Sequence, residues 1–376
     1  MTDKPEVLDL KPTQRLLLEL IRRYGPISRA ELAKLSNLTP GAITQQCREL
    51  IFSGLIVEGE KNIGQRGQPS LPLKLNPGGA CSIGVSFSSG FIDLALVDFC
   101  GKKIFSTSEV HLENQPLIAT LDQIKKMVNS TLKKLKLQHA RILGVGYAVP
   151  GFVKSDGKKR QCVTWLKSWR DADLQAEFQA NLPWPTWVEN NANAAAIGEL
   201  YSGQWNQYRD LTVLELGYGI GAGIIADHKL LTGGFRNAGE VGMAFPTGTH
   251  RPSYKDLLGT LSAAGYDEEE LLGLIKKKDI VIETWYQRSL KQLEDTVLGC
   301  LQWLDPQLII IGGAMPKEIT SRFAEDITDW LQYRLDPERP MVKVVHSSIG
   351  SESASLGAAM LSLYQIINQW LKCPNV

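Results

Sequence analysis

Leu16, Leu17, Leu20 and Ile21 recur at helical spacing through residues 13–24, and Gly25-Pro26 ends that run. Ser28 followed by Glu31 has capping-box spacing and opens a second helix, SRAELAKLS, that ends at Asn37. Thr39, with Pro40 in the first helical position, opens a third over PGAITQQCRELIFSG. Its pattern turns Ile43, Leu50 and Ile51 inward and leaves Gln46 and Cys47 unplaced. The apolar LIVEG, the polar KNIGQRGQPS and the apolar LPLKL then read as strand, loop and strand. Three helices, a short turn between the last two, and a hairpin predict a winged helix-turn-helix.

Asn76-Pro77-Gly78-Gly79 is a cluster of breakers and marks a domain boundary. Beyond it, ACSIGVSF, FIDLALVDF and KKIFSTSEVHL read as strands, with Ser88-Ser89-Gly90 as the first turn. TLDQIKKMVNSTLKKLKL is a helix, RILGVGYAVPG a buried strand, and WPTWVENNANAAAIGEL a strand entering an Ala-rich helix. The same order then recurs. LTVLELGYGIGAGIIADHKLL is a hairpin, helices cover about 265–304, QLIIIGGAM and VKVVHSS are strands, and SESASLGAAMLSLYQIINQW is a last helix. The repetition is architectural, without residue-level identity. It predicts an α/β protein of two lobes around a cleft behind the DNA-binding module. The expected domains are 1–78, 79–190 and 191–376, with the C-terminal helix a candidate to pack back on the first lobe.

Composition adds exclusions. The 376 residues are 43% hydrophobic and 22% charged, ordinary globular values that rule out whole-chain disorder. A net charge of +1 excludes coating of nucleic acid by charge alone, yet residues 1–78 carry 11 Lys/Arg against 8 Asp/Glu. Six cysteines without a C-x-x-C or C-x-C pair argue against a disulfide framework and a clustered cysteine zinc site. The first ten residues lack an apolar signal core, and no apolar run reaches the roughly 18 residues that cross a bilayer. A cytoplasmic protein without a membrane partner is expected.

The motifs, in order, resemble the ROK family (repressor, open reading frame, kinase). They are SRAELAKLSNLTPGAITQQCRELIFSGLI, QRGQP, VPG with WLKSW, VENNANAAAIGE, LELGYGIGAGII, GGFRNAGEVG, DPQLIIIGGAM and SESASLGAAM. The resemblance implies a two-lobed, actin-like ATPase fold, shared by sugar kinases and by repressors with an added winged helix. A kinase of this fold needs a metal-associated carboxylate at the first phosphate turn and a carboxylate base for the sugar hydroxyl. Where the family reads D-x-G-x-T, this chain has Ser86-Phe87-Ser88-Ser89-Gly90; Asp93 and Asp98 nearby read as strand-surface and turn residues. Where family kinases read E-N-D-A-N-A, it has Glu189-Asn190-Asn191-Ala192-Asn193-Ala194. An amide at 191 has no useful basicity; it serves as a sugar contact, a helix cap, or both. The family zinc motif is replaced too. Met243 follows Gly239-Glu240-Val241-Gly242, and PTGTHRPSYKDLL, with a lone His250 expected to face solvent without partners, has no cysteine. No metal, cofactor or catalytic residue is expected. The glycine turns Gly217–Gly221 and Gly312-Gly313 are then inherited turns that once served a nucleotide.

The sugar-facing frame survives. By resemblance, Gly151, Asn190, Asn191 and Glu240 are ligand-binding candidates, and Trp165 and Trp169 are either an apolar wall for the ligand or plain core. In the third helix Gly41, Ala42, Thr44, Gln45 and Arg48 lie on or near the exposed side, where Gln suits adenine edges and Arg suits guanine or phosphate. Arg66-Gly67 resembles a wing element that reaches a minor groove. The reading is a DNA-binding transcription regulator, a repressor, that senses a sugar or sugar derivative and binds a double-stranded operator as a homodimer. The alternatives are a regulator controlled by a protein partner and an active sugar kinase.

Overall fold

The computed structural model describes residues 8–60, 71–246 and 248–368. Helices α1 (Pro12–Tyr24), α2 (Arg29–Ser36) and α3 (Pro40–Phe52) precede strands β1 (Ile56–Glu58) and β2 (Leu73–Leu75), which pair antiparallel. The capping box forms: Ser28 Oγ accepts from the Glu31 amide, and the Glu31 carboxylate accepts from the Ser28 amide at 2.9 Å. Leu17, Leu32, Ile43 and Leu50 fill this module's core, and Cys47, fully buried, joins them. Gln46 is half-buried. Arg66 and Gly67 lie outside the described residues.

Asn76 caps a 3-10 turn at Pro77–Gly79, and the α/β core begins. Its first sheet takes β3 (Cys81–Ser88), β4 (Phe91–Asp98), β5 (Lys103–Val110) and, after α4 (Leu117–Lys134), β6 (Ile142–Ala148). A hairpin, β7 (Gly151–Val153) with β8 (Arg160–Cys162), and α5 (Leu174–Asn181) lead to β9 (Thr186–Glu189) and α6 (Asn191–Tyr201). The second sheet takes β10 (Leu211–Leu216), β11 (Ile220–Ala226) and β12 (Lys229–Leu230). After α7 (Tyr254–Ala263), α8 (Leu271–Lys277) and α9 (Ile280–Trp303) come β13 (Leu308–Gly312), α10 (Lys317–Arg334), β14 (Lys343–His346) and α11 (Ser353–Asn368). The sheet orders are β5-β4-β3-β6-β9 and β12-β11-β10-β13-β14. In each, three strands run antiparallel and the last two join in parallel, so the repeat extends to sheet topology.

Three elements differ from the sequence pattern. The β7–β8 hairpin follows β6 in a stretch where the sequence pattern predicts no strands. The cysteine-free segment PTGTHRPSYKDLL runs into α7, whose N-cap Ser253 accepts from the Asp256 amide. Helix α10 lies between two strands read as consecutive, although Ile319, Phe323, Ile327 and Leu331 mark its buried face at helical spacing. Helix α11 lies across β3, β4 and β6 and against α6, so it covers the first sheet.

Candidate functional site

Strand β9 runs parallel beside β6 and ends at the cleft, the edge where open α/β sheets expose ligand sites. It hands the chain to α6 through Asn190. This residue, not Asn191, is the helix cap: Asn190 Oδ1 accepts from the Ala192 amide at 2.8 Å. The cap position needs extended backbone, which residue 190 has and residue 191, already in the helix, does not. Asn190 Nδ2 donates to the Gly151 carbonyl at 3.1 Å and to Glu240 Oε1 at 3.3 Å. Asn190 thus ties three of the four sugar-facing candidates into one cluster, its own polar atoms engaged by protein.

Asn191 stands differently. Its Nδ2 donates to the Phe87 carbonyl at 3.4 Å, and its Oδ1 is buried with no protein partner. An acceptor in that state calls for a donor such as a ligand hydroxyl. Gly151 adopts φ 115°, and a Cβ there would strike the Gln161 carbonyl. The β7–β8 hairpin by itself requires a glycine at this position. Gly239, at φ 88°, lies flat on β11, where a Cβ would meet the Ala222 carbonyl at 1.9 Å. That contact fixes Glu240, which follows, at the mouth of the cleft. Burial raises the Glu240 pKa, and Arg160 opposes the rise. Behind the cluster Glu189 Oε1 accepts from the Asn190 amide, Asn193 Nδ2 and Arg160 at 2.9, 3.1 and 3.4 Å.

Trp169 is core, fully buried against Phe87 and Phe178 with its indole N–H donated to the Gln115 carbonyl. Trp165 lines a cavity in the cleft, facing Tyr218 of the second lobe at 6.2 Å. Phe87 is buried in the first lobe. Asp93 accepts from Ser88 and Ser108 on the sheet surface, and Asp98 takes the Cys100 and Lys102 amides in a turn. His250 has a partner, against expectation. Its Nδ1 lies 2.8 Å from Asp256 Oδ1 because α7 brings that carboxylate to it. Among the described residues no three His, Cys, Asp or Glu side chains gather as a metal site.

One residue escaped the sequence reading. Glu215, one residue before the end of β10, pairs with Gly221 and Gly312, and its carboxylate fills the space a side chain at Gly217 would take. Burial pushes its pKa up to about 7. An acid against the second glycine turn repels phosphate whenever it is ionised. The signal was an acidic residue inside a mostly apolar strand, LTVLEL.

In the DNA-binding module Gly41, Thr44, Gln45 and Arg48 are exposed along one side of α3, and Ala42 is half-buried. The module is fastened to the core. Arg22 on α1 donates to the Leu200 carbonyl at 3.2 Å and to Asn206 Oδ1 at 3.0 Å. Arg15 reaches the Ile366 carbonyl on α11, and Arg141 donates to the Ser53 carbonyl at 2.8 Å. Among the described residues no helix is long and apolar enough to cross a membrane.

The ROK family profile matches residues 83–252, and a winged helix-turn-helix DNA-binding profile matches residues 10–57. An uncharacterized protein, y4fQ, of Sinorhizobium fredii is 28% identical over 96% of this chain and 93% of its own. The xylose repressor of Caldicellulosiruptor bescii is 33% identical over 62% of this chain, and the match takes in 58% of that repressor's length. A crystal structure of a ROK family transcriptional regulator, a homolog of the E. coli MLC protein, superposes with a TM-score of 0.73 at 21% identity. It covers 96% of this chain and 98% of that one, which establishes the shared fold.

Proposed function

The chain belongs to the ROK family and carries a winged helix-turn-helix ahead of the ROK domain, and on that premise we propose that it is a DNA-binding transcriptional repressor whose core senses a sugar and transfers no phosphate. The observation that carries this reading is the double role of α6. Its first residue is Asn191, an amide where family kinases hold the base, with a free acceptor buried in the cleft. Its last turn receives Arg22 of the DNA-binding module. Ligand site and DNA-binding module therefore share one helix. Glu215 beside the second glycine turn further disfavours ATP. The xylose repressor relative supports the sugar class.

The protein acts in the cytoplasm as a homodimer, whose two-fold axis matches a pseudo-palindromic operator. Gly41, Ala42, Thr44, Gln45 and Arg48 face the major groove, Arg66 and Gly67 the minor groove, and Asn191 and Glu240 the sugar. Footprinting on the DNA upstream of its own gene is expected to reveal a two-half-site footprint that changes when sugar is added. The absence of any sequence-specific footprint overturns the reading. Control by a protein partner is the second reading, favoured by the exposed Phe235 and Met243 beside Glu240 in sequence. A footprint indifferent to sugars but altered by cell extract supports it.

A further inference from the structure

We propose that the cleft contains a second ring-sized subsite next to Asn191, so that the ligand it fits best is a disaccharide-sized glycoside whose second ring is uncharged. This rests on the sugar-sensing reading above. The subsite is a cavity of about 260 Å³ lined by Ser89 and Gly90 from the β3–β4 turn, His111, Glu113, Trp165 and, from the other lobe, Tyr218. That volume falls just below the roughly 300–1,000 Å³ of drug-sized pockets, a space for one ring rather than a nucleotide.

Two buried nitrogens in the lining lack partners. His111 is 2% exposed and Trp165 is 5% exposed, and neither His111 Nδ1 nor Trp165 Nε1 meets a protein partner. His111 Nε2 lies 3.0 Å from Thr120 Oγ1, which also accepts from Gln115 Nε2 at 3.2 Å and lies 3.4 Å from the Pro116 carbonyl. Burial lowers the His111 pKa and favours the neutral ring. Nδ1 is a bare acceptor when the proton is on Nε2 and a bare donor when it is on Nδ1, and the Trp165 N–H is a bare donor in both cases. A hydroxyl is both donor and acceptor, so a hydroxylated ring satisfies the pair. The indole of Trp165 and the phenol of Tyr218 supply apolar faces for its C–H edges.

Charge selects against phosphate. The described residues that line the cavity include the acidic Glu113 and no lysine or arginine. Lys255 is engaged on Tyr218, lying 4.1 Å over its ring and 2.5 Å from its hydroxyl. Continuity with the first subsite comes from Phe87. Its carbonyl accepts from Asn191, its ring is 6.1 Å from the His111 ring, and Ser89 lies two residues on, about 7 Å along an extended chain.

The test is calorimetric titration of the full-length protein with xylose, glucose and N-acetylglucosamine, and with xylobiose, cellobiose and diacetylchitobiose. One disaccharide is expected to bind at least about tenfold tighter than its own monosaccharide, the weight of one good hydrogen bond. Trp165→Phe keeps the aromatic face and removes the donor. It should collapse that ratio towards one, with circular dichroism confirming the fold. A monosaccharide that binds as tightly as its disaccharide overturns the second subsite while leaving the sugar sensor standing. So does a Trp165→Phe protein that keeps the full ratio. If no sugar of either size binds, the sensor reading falls and this inference with it.

Discussion

The guanidinium of Arg22 lies 4.0 Å over the ring of Tyr201, joining the first helix of the DNA-binding module to the last residue of α6. At ~1.5 Å per residue, the 11 residues of α6 make a rod about 16 Å long from Asn191 to that contact. Such a rod couples two sites when ligand and DNA favour different positions of it.

Arg22 and Glu19 are paired at 2.8 Å and nearly inaccessible, their side chains 5% and 3% exposed. Truncating one partner of a buried pair strands the other, at a cost of about 3–5 kcal/mol. Arg23, also paired to Glu19, softens that loss. Arg22→Ala is therefore expected to cost about 3 kcal/mol. Hydrogen exchange should show α1 opening before the α/β core. Exchange in α1 that stays at the wild-type rate would mean that the joint is not held by Arg22.

The winged helix, the two-lobed core and the amide at the base position were legible from the sequence because each rests on local signals. Caps at Ser28 and Thr39, breakers at Asn76-Pro77 and apolar strand runs do not depend on distant partners. What stayed hidden depends on packing. Asn191 reads as a cap until the backbone shows that Asn190 holds that position. His250 reads as solitary until α7 brings Asp256 beside it. The His111–Trp165 pairing joins residues 54 positions apart and has no local signature. Helix α10 has a legible period in Ile319, Phe323, Ile327 and Leu331, but the two strong strands on either side dominate the local pattern.

Glu215 makes stability depend on pH with a defined sign. Its folded pKa, about 7, exceeds the ordinary 4.5. The folded state thus holds the proton more tightly, so the contribution is complete below pH 4.5 and disappears as pH rises through about 7. At ~1.4 kcal/mol per unit the full swing is on the order of 3 kcal/mol, and with the side chain half-buried about 2 kcal/mol is expected. Glu215→Gln should gain on the wild type by that amount between pH 5 and 8.5 in urea unfolding. Parallel curves for the two proteins across that range contradict the assignment.

Phosphotransfer needs more than one reversion. Asn191→Asp restores a base, yet Ser86 and Ser88 replace the first phosphate turn and Glu215 faces the second. Wild type and Asn191→Asp are both expected to leave hexoses and amino sugars unphosphorylated by Mg²⁺-ATP in a coupled assay. Turnover that copurifies with the wild-type protein would reinstate the kinase.

Arg48 is exposed on α3 beyond Gln45, whose amide lies 3.4 Å from Glu49 Oε1. If Arg48 meets a phosphate, Arg48→Ala weakens every site equally and lowers the salt slope by about one. If it reads guanine, the loss is about 1–3 kcal/mol and concentrates on one base pair. Salt titrations on matched and mutated operators separate the two. Unchanged affinity and slope would remove α3 from the groove.

Glu240 is where ligand recognition and protein structure can be separated. Its carboxylate accepts from Asn190, and burial raises its pKa while Arg160 holds the rise in check. The remaining lone pairs suit two neighbouring sugar hydroxyls, and hydrogen bonds to a charged group are worth about 1.5–3 kcal/mol each when buried. Glu240→Gln preserves the volume and the Asn190 contact but gives up the charge. Sugar affinity is expected to fall by roughly ten- to a hundredfold, equivalent to one such bond. The operator footprint without sugar should persist, because α1 docks at the opposite end of α6. Paired titrations of one preparation, sugar by calorimetry and operator by anisotropy, measure both quantities. A Glu240→Gln protein that responds at the wild-type sugar concentration places the recognising carboxylate elsewhere in the cleft, and Glu215 is then the first to replace.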